Sequence, residues 1–148
     1  MTPKPLPSRF SGPYESPGFL LWRVSNAWQR EQRIALQKLG ITHTQFVALA
    51  VANWFGQTES VTQARLSQLT GSDPMTTSQV VRALEKMGYF ERTPHPRDTR
   101  AKVIAVSAEG REVAAEGVKI VEEVDQEFFK GLGGETISII KLFQSLLR

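Results

Sequence analysis

The sequence predicts a mainly helical chain with one small β element, an α+β fold, and three stretches carry that prediction. Residues 61–88 hold two short helical patterns, each with its own start and stop signals. Residues 89–107 hold two short β-prone runs around a proline-stiffened tip. Residues 18–40 and 107–148 hold longer helical patterns with more apolar surface than so small a centre can cover. Together they describe a winged helix-turn-helix flanked by helices, in a chain whose 148 residues supply one domain's worth of core.

Met1 to Pro17 carries five prolines and little apolar periodicity, so residues 1–17 read as a flexible, extended arm. From Gly18 the pattern turns helical through Phe19, Leu20, Leu21, Trp22, Val24, Ala27, Trp28, Ile34, Leu36 and Leu39, and it stops at Gly40. A stripe this broad must bury more than one face. Thr42-x-x-Gln45 then forms a capping box for a helix carrying Phe46, Leu49, Ala50, Trp54 and Phe55.

Thr62 caps the first helix of the central pair, with Ala64, Leu66 and Leu69 expected against a core and Gly71 as its stop. Asp73-Pro74 starts the second: a carboxylate cap, then a proline at the one helical position where the missing N–H costs nothing. Val80, Val81, Ala83, Leu84 and Met87 follow at helical spacing, and Gly88 closes the run. The first two turns, Pro74, Met75, Thr76, Thr77, Ser78 and Gln79, are short or polar. Such residues reach base edges when a helix enters a major groove.

Tyr89 to Arg92 and Lys102 to Ser107 read as the strands of a hairpin. Pro94 and Pro96 stiffen its tip and are expected to hold it away from any ladder. The tip carries His95, Arg97, Asp98 and Arg100, with Lys102 just behind. A rigid basic finger beside such a helix suits a minor groove, and the Asp98-x-Arg100 spacing allows a bidentate pair that aims the guanidinium. Arg65, Arg82, Arg92 and Arg97 read as phosphate contacts. Ser107 caps a long helix through Phe128, Gly131 to Gly134 break it, and Glu135 to Arg148 make the last.

Charge is divided along the chain. Residues 62–102 hold seven Lys/Arg against four acids, and residues 107–148 hold five against eight, so a polyanion is drawn to the middle and repelled by the end. The absence of cysteine excludes disulfides, thiolate metal sites and thiol redox chemistry. No catalytic constellation appears: the two histidines make no H-E-x-x-H, and the glycines at 131–134 follow no strand. No enzyme, cofactor or metal is expected. Without a signal peptide or a run of about 18 apolar residues, a cytoplasmic chain is expected.

Thr42-x-x-Gln45-Phe46-x-x-Leu49, Leu84-Glu85-Lys86-x-Gly88-Tyr89-x-Glu91-Arg92, Asp98-x-Arg100-Ala101 and Glu109-Gly110-Arg111 resemble the MarR family of bacterial regulators over residues 19–148. One departure is Val106-Ser107, where the family usually has Leu-Thr; the swap keeps an apolar residue and a hydroxyl cap. The resemblance implies a homodimeric transcriptional regulator, expected to repress, that reads a palindromic double-stranded operator. Its partners would be DNA, a second copy and a small aromatic effector. Residues 18–40 and 107–148 would form the dimerisation region and residues 41–106 the DNA-binding region. Trp22, Trp28, Phe46 and Trp54 stand as candidate lining for the effector, with core packing as the equal alternative. A protein-interaction or ligand-binding module without specific DNA binding is the rival reading.

Overall fold

The computed structural model describes residues 3–147. The first two residues of the expected arm and Arg148 of the expected last helix lie outside the described residues. Among the described residues, six α-helices and one hairpin follow in order: α1 Pro17–Leu36, α2 His43–Phe55, α3 Gln63–Thr70, α4 Pro74–Lys86, β1 Phe90–Pro94, β2 Lys102–Val106, α5 Ala108–Phe129 and α6 Thr136–Leu146.

Each sequence-predicted cap is made. Thr42 Oγ1 accepts the Gln45 N–H at 3.1 Å while Gln45 Oε1 accepts the Thr42 N–H at 3.0 Å, closing the box. The Thr62, Asp73 and Ser107 side chains accept from the backbones of Arg65, Thr76 and Gly110. Such caps contribute about 1 kcal/mol apiece. Gly71 (φ 76°) and Gly88 (φ 81°) take the left-handed conformation that ends α3 and turns the chain from α4 into the wing.

The hairpin is antiparallel, with Phe90 opposite Val106 and Pro94 opposite Lys102. Pro94 therefore joins the ladder, against the expectation that it would stand clear of it. The reason is register: the His95 N–H donates to the Ala101 carbonyl at 3.2 Å, so 95/101 is a hydrogen-bonding pair and the adjacent 94/102 is not. The proline's missing N–H faces outward and costs no bond. Behind β2, the Ile104 N–H donates to the Val61 carbonyl at 2.7 Å, which ties the wing to the start of α3.

Two apolar clusters make the core. Leu49, Ala52, Val61, Leu66, Val81, Leu84, Phe90, Ile104 and Ala114 fill the space inside α2, α3, α4 and the wing. Leu36, Ile41, Phe46 and Val121 join α1 and α5 to α2. Tyr89 and Val113 touch both clusters. Gly117 is buried against Phe46 so closely that a Cβ there would lie 2.6 Å from the ring.

Several expectations need correction. Ala64 is exposed rather than packed, because the face of α3 turned inward is that of Leu66. The first helix ends at Leu36, and a 3₁₀ turn over Gln37–Leu39 carries the chain to Gly40. The arm is not wholly extended: Pro13–Glu15 form a 3₁₀ turn, and the Tyr14 ring stands edge-on to Phe19 at 5.8 Å, beneath Arg23. No helix among the described residues is long and apolar enough to cross a membrane.

Candidate nucleic-acid interface

Helix α4 presents two opposite faces. Thr77, Val81 and Leu84 are buried on the inner one, and Met75, Gln79, Arg82 and Lys86 are exposed on the outer, both at helical spacing. Thr77 is only 4% exposed and its hydroxyl donates to the Asp73 carbonyl at 2.9 Å. It therefore belongs to the core and not to the base-edge set in which the sequence placed it. Thr76 and Ser78 are half-buried at the margins of the outer face. Thr76 gives both its N–H and its hydroxyl to Asp73 at 2.8 Å, and these bonds hold the Asp73 carboxyl below the usual carboxylate range.

The basic residues divide into paired and unpaired. Arg65 is bound two-handed to Glu59, with contacts of 2.6 and 3.2 Å, in a pair that stays partly open to solvent. Arg92 donates to Glu85 of α4 at 2.6 Å and to Gln63 of α3 at 3.0 Å. Both read from sequence as phosphate contacts; in the fold each also holds an acidic side chain of its own chain. Arg82, Arg97, Arg100 and Lys102 are exposed and make no ion pair among the described residues.

The wing tip is held by side chains bonding to backbone. His95 Nδ1 accepts the N–H groups of Arg97 and Asp98, each at 3.0 Å. Asp98 Oδ1 accepts the Arg100 N–H at 3.0 Å. The expected bidentate pair between Asp98 and the Arg100 guanidinium is not formed: the carboxylate accepts the Arg100 backbone N–H and caps the turn instead. Asp98 thus shapes the loop that carries Arg100 rather than gripping its side chain.

The four aromatic candidates are not gathered. Trp22 and Trp54 are 65% and 77% exposed, whereas Phe46 is buried against Gly117. Trp28 is half-buried, and its indole N–H donates to Asp125 at 2.7 Å. Open clefts lie elsewhere. One of about 520 Å³ between α1 and α5 is lined by Ala27, Arg30, Glu31, Ala35, Lys38, Ile120, Glu123, Val124, Glu127 and Phe128.

Sequence reasoning missed the polar junction around Trp28. The fully buried Gln32 amide donates to Asp125 at 2.9 Å and to the Val121 carbonyl at 3.2 Å. The His43 ring stands edge-on to Trp28 at 4.9 Å. Burial lowers the His43 pKa from its ordinary value, while Asp125 opposes that shift. The signal was a glutamine in line with Trp28 and Leu36, at four-residue steps on an apolar stripe. These residues link α1 and α5 to the start of α2.

Comparison with known proteins agrees with this arrangement. The sequence matches the MarR family over residues 41–102. It is 42% identical over 123 residues to the HTH-type transcriptional regulator YdcH of Bacillus subtilis (strain 168), covering 82% of this chain and 84% of that one. Its fold is similar to CouR from Rhodococcus jostii RHA1 bound to p-coumaroyl-CoA (TM-score 0.80, 28% identity, 93% of this chain and 95% of that). It is also similar to a mutant Escherichia coli MarR complexed with operator DNA (TM-score 0.76, 22% identity, 88% and 93% covered). A basic wing braced to an outward-facing helix and the match to YdcH lead to one conclusion: the chain belongs to the MarR family of transcriptional regulators.

Proposed function

We propose that the protein is a homodimeric, sequence-specific reader of double-stranded DNA that represses transcription. The observation that carries this reading is the outer face of α4, where Met75, Gln79, Arg82 and Lys86 are exposed beside a basic wing. In a major groove Gln79 would bond a base edge, Met75 and the Thr76 methyl would make apolar contacts, and Ser78 would lie at the margin. Arg82 would bond phosphate. Arg97, Arg100 and Lys102 would follow the flanking minor groove, whose negative potential attracts a presented guanidinium. Arg65 takes no part as a primary contact, given its pairing to Glu59.

The dimer reading rests on apolar surface that one copy leaves uncovered. On α1, Leu21, Trp22, Val24 and Ile34 are exposed; on α6, so are Ile137, Ile140, Leu142, Phe143 and Leu146. Apolar exposure on that scale marks an interface, and a two-fold pairing with a second copy is the commonest way to bury it. Residues 18–40 and 107–148 would thus form the dimerisation region and residues 41–106 the reading head. CouR, of similar fold, is bound to p-coumaroyl-CoA in its structure, and in this chain a small aromatic effector would occupy the α1–α5 cleft. It would act by favouring a dimer whose heads are wrongly spaced.

The test is selection of binding sites from a random duplex pool at two salt concentrations. A dimeric reader enriches a palindrome with half-sites about 10 bp apart. Failure to enrich any sequence, with affinity vanishing as salt rises, would leave only nonspecific attraction to phosphate and favour the interaction-module alternative.

A further inference from the structure

We propose that His95 is a positioning residue of the wing, working as a neutral, acceptor-bearing latch that makes operator binding weaken on acidification. The proposal rests on the DNA-binding reading above and adds a residue role and a regulation to it.

The geometry is specific. With prolines at 94 and 96, few backbone N–H groups are available at the tip, and two of them, from Arg97 and Asp98, converge on His95 Nδ1 at 3.0 Å each. Receiving both requires an unprotonated Nδ1, so the ring must be neutral with its proton on Nε2. The His95 N–H also donates across the hairpin to Ala101, whose own N–H returns to the Asp98 carbonyl at 3.1 Å. The segment from His95 to Ala101 is thus closed by two side chains, His95 and Asp98. His95 is half-buried, whereas its neighbours Pro96, Arg97, Asp98, Thr99 and Arg100 are exposed. That placement fits a strut better than a contact.

Protonation would convert Nδ1 from acceptor to donor and set a third N–H against two others. The other charged residues of the tip are Arg97, Asp98 and Arg100, with Lys102 opposite Pro94 on β2. Loss of the latch frees the backbone beneath Arg97 and Arg100, and both must then be ordered anew on DNA. An imidazole that instead touched phosphate would have the opposite sign, since acidification would add an attractive charge.

The experiment is operator affinity at fixed salt from about pH 8 to about pH 5.5, for the native chain, His95→Asn and His95→Ala. Asn carries an acceptor oxygen at the place of Nδ1 but does not titrate. The expected result is a native affinity that falls roughly tenfold on acidification, as for the loss of two hydrogen bonds. His95→Asn should keep the affinity of the native protein at pH 8 and lose most of the decline. His95→Ala should bind roughly tenfold more weakly at pH 8. In the free protein, imidazole ¹⁵N shifts should report the Nε2–H tautomer, and the Arg97 and Asp98 amide resonances should move as acid is added. Affinity that rises on acidification, a His95→Ala chain equal to the native one at pH 8, or an Nδ1–H tautomer would each overturn the proposal. A native protein that prefers no duplex while showing the expected tautomer would sink the DNA reading and leave the latch standing.

Discussion

The Arg92 guanidinium on β1 lies 2.6 Å from the Glu85 carboxylate on α4, and its second arm reaches Gln63 on α3. One side chain thus joins the wing to both helices of the reading head. Its guanidinium has partners within the chain, which separates it from Arg82 on the outer face. Arg82→Ala should weaken binding to all duplexes and reduce the slope of log affinity against log salt by about 0.9, one phosphate's worth. Arg92→Ala should change that slope by less, and a double-mutant cycle with Glu85→Ala on stability should give a coupling of roughly 0.2–1 kcal/mol, as for partly exposed pairs. Equal slope changes from the two arginine variants would return Arg92 to the phosphate.

Opposite faces of α4 should give opposite phenotypes. Gln79→Ala should cost about 1–3 kcal/mol of discrimination at one base pair while leaving the melting temperature unchanged. Thr77→Val should lower stability by about 0.5–1.5 kcal/mol through loss of its bond to the Asp73 carbonyl and leave sequence preference intact. Site selection and thermal melting of both variants check the division.

Gly117 fixes the distance between α5 and α2. An alanine there would set its Cβ 2.6 Å from Phe46, deep in the core. Gly117→Ala should destabilise by about 1–3 kcal/mol, measured by urea unfolding, and Gly117→Ala with Phe46→Leu should recover part of that loss.

His43 should contribute to acid sensitivity of the fold. Burial holds its pKa in the folded chain below the value it has when unfolded. Through the interval between those two values the unfolded chain binds more protons, so stability rises with pH there and is lost as pH falls below about 6.5. The melting temperature should drop between about pH 7.5 and about pH 5.5, and His43→Gln should reduce that drop. A variant with the native acid profile would exclude the histidine as a source.

Local chemistry was readable in the sequence, and distance was not. Thr42, Thr62, Asp73 and Ser107 announced their helices because a cap depends on neighbours three residues away. Thr77 was misplaced because it was grouped by chemistry with Thr76 and Ser78; its phase with Val81 and Leu84 points inward. Glu85 and Arg92 meet only because the chain turns back at Gly88, and Glu59 meets Arg65 across the bend before α3. Neither closure is written in spacing alone. The aromatic set failed for a related reason, since residue type marks Trp22 and Trp54 as apolar but burial depends on what covers them.

The proposed dimer presents two α4 helices to one face of a duplex. The most direct test is affinity for the enriched palindrome before and after insertion of about 5 bp, half a helical turn, between its half-sites. The insertion should turn the half-sites to opposite faces and reduce affinity to that of a single head on an isolated half-site. Affinity indifferent to the insertion would show that the heads bind independently, and the dimeric reader would be contradicted.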